Sequence, residues 1–232
     1  MVIAYGPTPH VGRFRCREMP LSVEDAPGAV LEASPPPAYP LLMADEAVRP
    51  GLESVLAAAK QAPGRGLPPV HLWNPAHCGE IDIVIRKDGV WFHEGTPIGR
   101  EALVRLFSTV LRKDPDGIHL VTPVEKLKIT VEDAPFIATR VDRVGEALKF
   151  LTNVGDEVEA GPENYIRVEM GKDGEPRPYV HVRRGLEALI ARPVFYELVE
   201  MAEERETPDG PTLGVASNGA WYPVGPAHAH NV

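Results

Sequence analysis

The sequence lacks the features that identify secreted and membrane-spanning proteins. Its 232 residues include only two cysteines, Cys16 and Cys78, which could form one disulfide but not a framework of them. No apolar run approaches the ~20 residues that cross a bilayer. The N-terminus, MVIAYGPTPHVGRFRC, has no apolar stretch long enough for a secretory signal. These absences predict a cytoplasmic protein with reduced thiols and no membrane partner.

The sequence also lacks an excess of basic residues. It has 24 Lys and Arg against 33 Asp and Glu, which gives a net charge of −9. Residues 151–232 alone carry 7 basic and 14 acidic side chains. Non-specific binding to long nucleic acids depends on surplus Lys and Arg, so such a partner is not expected. The balance still permits a local basic pocket for a small anion.

The usual catalytic signatures are missing. The chain has no phosphate-binding loop ending in Lys-Ser/Thr, no Rossmann glycine fingerprint, no His-Glu-x-x-His helix and no Gly-x-Ser-x-Gly turn. Four side chains could in principle ligate a metal: His71, His77, Cys78 and His93. Cys78 could also act as a nucleophile with a nearby histidine as its base. No third orienting group accompanies either set, so we expect no cofactor, no metal and no catalytic residue.

Proline and charge divide the chain into four parts. Residues 1–44 form a flexible arm, or precede a translation start at Met43, because prolines recur there and no apolar period persists. Two small subdomains follow over 45–142 and 143–206. Residues 207–232 are expected to be a loose tail. The helix predicted in the first subdomain lies at Gly51–Gln61, where apolar residues share one helical face.

Two segments of similar pattern predict an internal repeat. They are KDGVWFHEGTPIGREALV, Lys87–Val104, and KDGEPRPYVHVRRGLEALI, Lys172–Ile190. Each combines a Lys-Asp-Gly turn, an outgoing strand and a Gly-x-Glu-Ala-Leu sequence typical of a helix start. The pattern predicts an α+β fold of two small subdomains, in which a strand–turn–strand–helix unit packs one helix on an antiparallel sheet each time.

The repeat also predicts where its helices begin. Thr96 can cap the first helix with Pro97 at its first position. An apolar stripe continues that helix through Leu103, Leu106, Phe107 and Val110. The second helix is expected to follow Gly185 and to restart at Pro193.

Basic and aromatic residues supply a candidate ligand site. Arg100 and Arg184 each lie within one residue of a helix-opening glycine, where unpaired N–H groups and a guanidinium could hold an anion. The alternative is a solvated face paired with Glu101 and Glu187. Trp73 and Tyr179 could stack a planar ring, or belong to the core instead.

Several pieces of the sequence resemble the bacterial domain-of-unknown-function 1285 family. They are LPPVHLWNPAHCGEIDI, DGVWFHEGTPIGREALVRLFSTVLRKD, LVTPVEKLKITVEDAPF and the YVHVRRGLEALI region. The resemblance covers roughly residues 50–205. It implies two α+β subdomains with repeated motifs, the second similar to a pleckstrin-homology domain, no established enzyme activity, and a role in signal transduction with a nucleotide- or nucleic-acid-like ligand in the groove between the subdomains. The positions that match the family pattern are Trp73, Asn74, Asp82, Thr96, Arg100, Thr122, Glu125 and Lys126.

These observations together predict a non-catalytic regulatory or sensor protein that binds a small anionic, nucleotide-like ligand between two subdomains. A protein-interaction adaptor is the alternative, and a metal- or Cys-dependent hydrolase is the third choice. The candidate ligand-binding residues are Trp73, Asn74, Arg100, Glu125, Lys126, Tyr179, Arg183 and Arg184.

Overall fold

The computed structural model describes residues 67–172 and 174–227. The predicted arm over 1–44 and the predicted helix at Gly51–Gln61 lie outside the described residues. Most of the described chain is β-sheet, with fifteen strands and two helices. Neither of these helices has the length or the apolar content that crossing a bilayer requires. We call residues 67–134 the N-terminal half and residues 135–227 the C-terminal half.

The N-terminal half contains one six-stranded sheet and one helix. Its strands are β1 (His77–Ile85), β2 (Trp91–His93), β3 (Thr96–Pro97), β4 (Leu111–Asp114), β5 (Gly117–Val121) and β6 (Glu125–Val131). Their order across the sheet is β3-β2-β1-β6-β5-β4. Helix α1 (Glu101–Thr109) connects β3 to β4, and a 3-10 turn at Val70–Leu72 precedes β1. Strands β1 and β6 are parallel, so the sheet is mixed rather than antiparallel as predicted.

The C-terminal half contains a second six-stranded sheet and a smaller third sheet. The six strands are β7 (Phe136–Val144), β8 (Ala147–Thr152), β9 (Glu157–Glu159), β10 (Ile166–Met170), β11 (Pro176–Arg183) and β12 (Leu186–Ile190). Their order is β10-β11-β12-β7-β8-β9, with β12 and β7 parallel. Helix α2 (Arg192–Glu200) follows β12. The third sheet consists of β13 (Glu203–Thr207), β14 (Gly210–Ser217) and β15 (Ala220–Pro226).

The hairpin predicted at Asp88-Gly89 is present between β1 and β2. Ile83 and Ile85 of β1 are fully buried while Val84 between them is half-buried, which is the alternation expected of a strand with one face on the core. Gly89 has a φ of 80°, a left-handed conformation that glycine adopts without steric cost. The Asp88 carboxylate accepts a hydrogen bond from the N–H of Val90, 3.1 Å away, and closes the turn.

The first predicted helix begins later than expected. Thr96 and Pro97 lie in strand β3 because they pair with β2, and the Ile98 N–H continues this pairing by donating to the Trp91 carbonyl at 2.8 Å. Helix α1 starts only at Glu101, so Thr96 is not its cap. The apolar stripe is correct, since Phe107 is fully buried.

The second predicted helix is wrong at its start. Leu186, Ala188 and Ile190 are buried in alternation, so the Gly-Leu-Glu-Ala-Leu segment is strand β12 and pairs with β11 and β7. Arg184 and Gly185 instead form a turn with φ values of 47° and 77°. Helix α2 begins at Arg192 with a proline in its first turn, as the Pro193 restart predicted. The repeat of a strand–turn–strand–helix unit and the pleckstrin-homology-like arrangement are therefore not confirmed.

The segment 207–232 was predicted to be a loose tail, but its residues form strands as far as residue 226. Strands β14 and β15 form a hairpin whose Val215, Tyr222 and Val224 belong to the hydrophobic core. The Ser217 hydroxyl donates to the Ala160 carbonyl at 2.8 Å and accepts from the Leu148 N–H at 2.8 Å. These two bonds attach the tip of the hairpin to the second sheet.

The two halves meet at the tip of the β1–β2 turn and along α1. The Asn153 side-chain amide donates to the Gly89 carbonyl at 3.4 Å. Arg183 donates to the Ser108 carbonyl at the end of α1, at 2.8 Å, and forms an ion pair with Asp156. Its guanidinium also lies over the Phe136 ring. The hydrogen bond to Ser108 therefore connects the halves, while the Asp156 ion pair and the Phe136 ring contact hold the Arg183 side chain within the C-terminal half.

Candidate functional site

An open cleft of about 510 Å³ lies where the two halves meet. We call it the α2 cleft, because the first turn of α2 forms one wall. Its volume falls within the range of about 300–1,000 Å³ that is typical of small-molecule sites. Its lining residues are Lys87, Asp133, Glu175, Pro176, Arg177, Pro178, Leu189, Ile190, Ala191, Arg192, Phe195 and Tyr196. The lining thus combines three cations and two carboxylates with seven largely apolar residues.

Three elements position the charged wall of the α2 cleft. Lys87 lies in the β1–β2 turn. Its own backbone N–H donates to the Glu132 carboxylate at 3.0 Å. Arg177 lies near the start of β11, and Arg192 is the first residue of α2. Glu132 in turn donates its N–H to the Ile85 carbonyl at 3.0 Å. The N-terminal half therefore fixes the turn that carries Lys87.

The start of helix α2 adds a partial positive charge to the same wall. Ala191 occupies the cap position without a side-chain cap bond, and its N–H donates to the Ala138 carbonyl at 3.0 Å. The Phe195 N–H makes the first bond within the helix, to Ala191. A helix has no internal acceptors for its first N–H groups, here those of Arg192 and Val194. Such a terminus favours a bound anion.

Asp133 is the half-buried carboxylate at the base of the α2 cleft, and Tyr179, which does not line the cleft, holds it by a hydrogen bond. The Tyr179 hydroxyl donates to Asp133 Oδ1 at 2.7 Å, and Arg177 lies 3.4 Å from Oδ2. Burial and the neighbouring Asp133 carboxylate raise the pKa of Tyr179 to about 12, so its hydroxyl stays a donor at neutral pH. One face of its buried ring is covered by Arg167. The ring that is open to a ligand here is that of Tyr196, which is 57% exposed.

The predicted residues Trp73 and Lys126 each contact a different part of the molecule, the ion-pair network of Arg112 and Asp114 on edge strand β4. Asp114 accepts from Arg112 at 2.8 and 2.9 Å and from the Lys126 ammonium at 2.8 Å. Arg112 also donates to the Trp73 carbonyl at 2.7 Å. Trp73 packs against the core, whereas its neighbour Asn74 is exposed.

This network does not favour a metal ion. Asp114, Asp116 and His119 are the one group of three ligand-type side chains within 4.8 Å of one another among residues 67–172 and 174–227, so the set His71, His77, Cys78 and His93 is not brought together. Burial, followed by the Lys126 charge, lowers the pKa of His119. A cation would have to displace the Lys126 ammonium, which already neutralises the carboxylates. The arrangement is an ion-pair cluster of the sheet edge.

Glu125 fixes the start of strand β6. The Thr122 hydroxyl accepts from the N–H of Glu125 at 3.0 Å, and the Thr122 N–H donates to the Glu125 carbonyl at 2.9 Å. The Glu125 side chain is buried, and this burial raises the pKa of its carboxyl. The Thr-Pro-Val-Glu-Lys piece therefore has a local structural role at the start of β6.

The remaining predicted residues are spread over the surface. Arg100 is exposed beside the first residue of α1, whereas Arg183 contacts Ser108 at the other end of that helix. Eight residues of α-helix separate these points by about 12 Å. Arg184 is exposed in its turn next to Arg183. Arg100 and Arg184 were predicted to occupy equivalent positions at two helix starts. They do not, because the second helix does not begin at Gly185.

Sequence reasoning missed Lys87, Arg177, Arg192 and Tyr196. One signal was available, because Arg192 directly precedes the proline that opens α2. Lys87 stood in the recognised Lys-Asp-Gly turn, but nothing in the sequence indicated that this turn reaches the C-terminal half.

The buried ion pairs predict a loss of stability in acid. Burial would raise the pKa of Asp114, but hydrogen bonds from Arg112 and Lys126 outweigh it and hold the pKa below its ordinary 3.8. Hydrogen bonds from Arg167 likewise hold the pKa of Glu187 below 4.5, against burial. Carboxyls with lowered pKa values stabilise the fold above their unfolded pKa and lose this contribution as pH falls through the folded pKa. The free energy of unfolding, measured by urea titration, should therefore decrease as the pH is lowered from about 4.

The matching variants test this assignment. In Glu187→Gln, the difference in unfolding free energy between pH 6 and pH 3 should be smaller than in the wild type. Glu157→Gln changes an exposed glutamate and should leave that difference unchanged. Equal acid sensitivity in all three proteins would contradict the role given to the Arg167–Glu187 pair.

The fold and cleft define a two-part, mostly β-sheet protein with an open cleft where the parts meet. Two family descriptions match it: the N-terminal domain of a domain of unknown function (DUF1285) over residues 68–134, and the C-terminal domain of a protein of unknown function (DUF1285) over residues 135–224. The chain belongs to the DUF1285 family. These matches divide the chain at residue 134, rather than at 142 as the sequence suggested.

Two solved structures are similar to this chain. A crystal structure of a DUF1285 family protein from Silicibacter pomeroyi DSS-3 is 47% identical, with a TM-score of 0.68, over 75% of this chain and 95% of the other. A DUF1285 family protein from Shewanella baltica OS155 is 26% identical, with a TM-score of 0.43, over 51% and 90%. No curated protein matches the chain.

Proposed function

We propose that this chain is a non-catalytic regulatory or sensor protein that binds a small anionic, nucleotide-like ligand in the α2 cleft. The observation that carries the proposal is the cleft itself, because its volume of about 510 Å³ combines with cations from both halves. Lys87 belongs to the N-terminal family domain, and Arg177 and Arg192 belong to the C-terminal one. A ligand held between them would favour one arrangement of the two domains over the others. Such a shift in populations is how a sensor responds to its ligand.

Charge favours an anionic ligand. The five charged residues of the lining carry a net charge of +1, on a chain whose net charge is −9. Within the described part of the chain, no carboxylate forms an ion pair with the Lys87 ammonium, whereas Arg177 and Arg192 are paired. An exposed ammonium beside a helix N-terminus is a suitable first contact for a phosphate or carboxylate.

The apolar part of the α2 cleft favours a planar ring. Tyr196 exposes its ring, and the apolar residues Phe195, Pro176 and Pro178 line the same cleft. Stacking of a base on an aromatic side chain contributes about 1–3 kcal/mol. A ligand with a ring at one end and a single anionic group at the other would use both parts of the lining.

The lining is suited to binding rather than turnover. Among the described residues that line the cleft there is no serine, cysteine or histidine to form a nucleophile–base pair. The Tyr179 hydroxyl donates to the lining residue Asp133, and the raised pKa of Tyr179 opposes its ionisation. The proposal places the protein in the cytoplasm, where small phosphorylated metabolites are available.

Removing the Lys87 ammonium should weaken binding. In a thermal-shift screen of nucleoside monophosphates, a ligand at 100 times its Kd adds about 2.7 kcal/mol of stability. Each kcal/mol raises the midpoint of a protein of this size by about 2–4 °C. Lys87→Ala should raise the Kd about tenfold, since a hydrogen bond to a charged group contributes about 1.5–3 kcal/mol.

Arg100→Ala is the control that distinguishes a ligand site in the α2 cleft from a ligand site at helix α1. Arg100 is exposed and does not line the α2 cleft, so its replacement should leave the Kd unchanged. If no nucleotide or phosphorylated metabolite shifts the melting midpoint, the proposal fails. If Arg100→Ala weakens binding while Lys87→Ala does not, the ligand site lies at α1 instead.

A further inference from the structure

An ion pair between Arg192 and Glu175 joins two walls of the α2 cleft. Arg192 begins helix α2, and Glu175 ends the turn between β10 and β11. The Gly171 N–H donates to the Glu175 carbonyl at 2.8 Å and so fixes the backbone of that turn. The two side chains are 63% and 57% exposed, so a molecule entering the cleft can reach both.

The second arginine of the lining is engaged differently. Asp133, the partner of Arg177, has a side chain only 13% exposed, and it also accepts the hydroxyl of Tyr179 at 2.7 Å. Asp133 is therefore a fixed part of the base of the cleft. Glu175 is exposed at the end of a turn, so its carboxylate can leave Arg192 for water at little cost.

We propose that Glu175 determines the specificity of the α2 cleft by occupying the position of the ligand's anionic group on Arg192. The inference rests on the proposed function. A glutamate carboxylate has the shape and charge of the group it would stand in for, a carboxylate or a phosphate monoester, and both bind a guanidinium through two parallel hydrogen bonds. The ligand's own anion replaces Glu175 on Arg192.

The carboxylates of the lining also limit the charge of the ligand. Once displaced, Glu175 remains attached to the rim, and Asp133 remains at the base. A polyanion such as a nucleoside triphosphate would therefore meet two like charges within the same small volume, which is unfavourable. The ligand class that fits is a ring carrying one anionic group, as in a nucleoside monophosphate.

Neutralising Glu175 should strengthen binding. By isothermal titration calorimetry with adenosine 5′-monophosphate, Glu175→Gln is expected to bind about fivefold more tightly than the wild type, because an exposed ion pair contributes at most about that factor. Glu146→Gln removes the same charge from an exposed glutamate outside the cleft and should leave the affinity unchanged. In Arg192→Gln, where Glu175 has no guanidinium to occupy, the further change Glu175→Gln should strengthen binding less than it does in the wild type.

Adenosine 5′-triphosphate is the second probe. The wild type should have a higher Kd for the triphosphate than for the monophosphate. The ratio of these two Kd values should be smaller in Glu175→Gln. If Lys87→Ala weakens binding but Glu175→Gln does not strengthen it, the role of Glu175 is overturned while the proposed function stands. Equal gains in Glu175→Gln and Glu146→Gln would show a long-range charge effect and would also overturn it. Absence of binding to the wild type and to Glu175→Gln overturns both.

Discussion

Gly214→Ala is expected to reduce the free energy of unfolding by about 2–3 kcal/mol, the upper part of the range for overpacking a filled site. A Cβ added at Gly214 would lie 2.2 Å from Cζ2 and 2.3 Å from Cε2 of Trp221, far inside van der Waals contact. The guanidinium of Arg205 lies over the Trp221 ring, 5.3 Å from its centroid. The ring is half-buried with Arg205 over one face, and it must shift to admit the methyl group.

Gly225→Ala is the matched control in the same hairpin. A Cβ there would meet nothing within 4 Å, and Gly225 does not have a positive φ. Glycine in a strand is less favourable than alanine by roughly 0.5–1 kcal/mol, so this variant should be neutral or slightly more stable. Urea unfolding followed by circular dichroism measures both variants. Equal stability of the two proteins would mean that Trp221 does not pack on Gly214.

Gly89→Ala, at the contact between the halves, is expected to cause the second large loss of unfolding free energy. A Cβ at Gly89 would lie 2.6 Å from Cγ1 of Ile137 and 2.9 Å from the Asn153 side-chain nitrogen. Gly95→Ala provides the control, because its φ of 73° is close to the 80° of Gly89 while its surroundings are empty. Both variants bear the left-handed strain of about 1–2 kcal/mol.

The difference between these variants therefore isolates the contact with the C-terminal half. Gly89→Ala should lose about 1–3 kcal/mol more than Gly95→Ala, as overpacking does in other proteins. Urea unfolding of the two proteins gives this difference directly. Because Lys87 lies in the same turn, Gly89→Ala should also weaken ligand binding. Identical losses of stability would show that the β1–β2 turn does not pack against Ile137 and Asn153.

Local sequence signals predicted the elements that depend on neighbours in the chain. Asp88-Gly89 predicted a hairpin and the apolar stripe predicted the α1 region, and both are present. The segment after Gly185 shows the limit. Glu-Ala-Leu favours a helix, but Leu186, Ala188 and Ile190 bury one face of a strand that pairs with β7, about fifty residues earlier in the chain. That non-local pairing overrides the local preference.

The C-terminal hairpin could have been predicted. Asp209-Gly210 and Asn218-Gly219 are both strong hairpin signals, and Asn218 and Gly219 adopt the positive φ values that such a turn needs. This segment was instead predicted to be a loose tail. The pairing of β13, β14 and β15 shows that turn chemistry was the better guide.

The candidate site was less accessible from the sequence. Its cations lie in the β1–β2 turn, at the start of β11 and at the start of α2, and the pairing of two separate sheets brings them together. Arg100 and Arg184 were predicted because they flank apparent helix starts, but only one of those helices begins there. Lys126 was predicted because it matches the family pattern. Side chains can be recognised from sequence, whereas a cleft requires the long-range arrangement.

Chemical-shift mapping by NMR tests the central claim most directly. On addition of adenosine 5′-monophosphate to the full chain, the amide signals of Lys87, Ala191, Arg192 and Tyr196 should move together and saturate with one Kd. Saturable shifts centred on Trp73, Arg100 and Lys126, with the signals of helix α2 unchanged, would contradict the account.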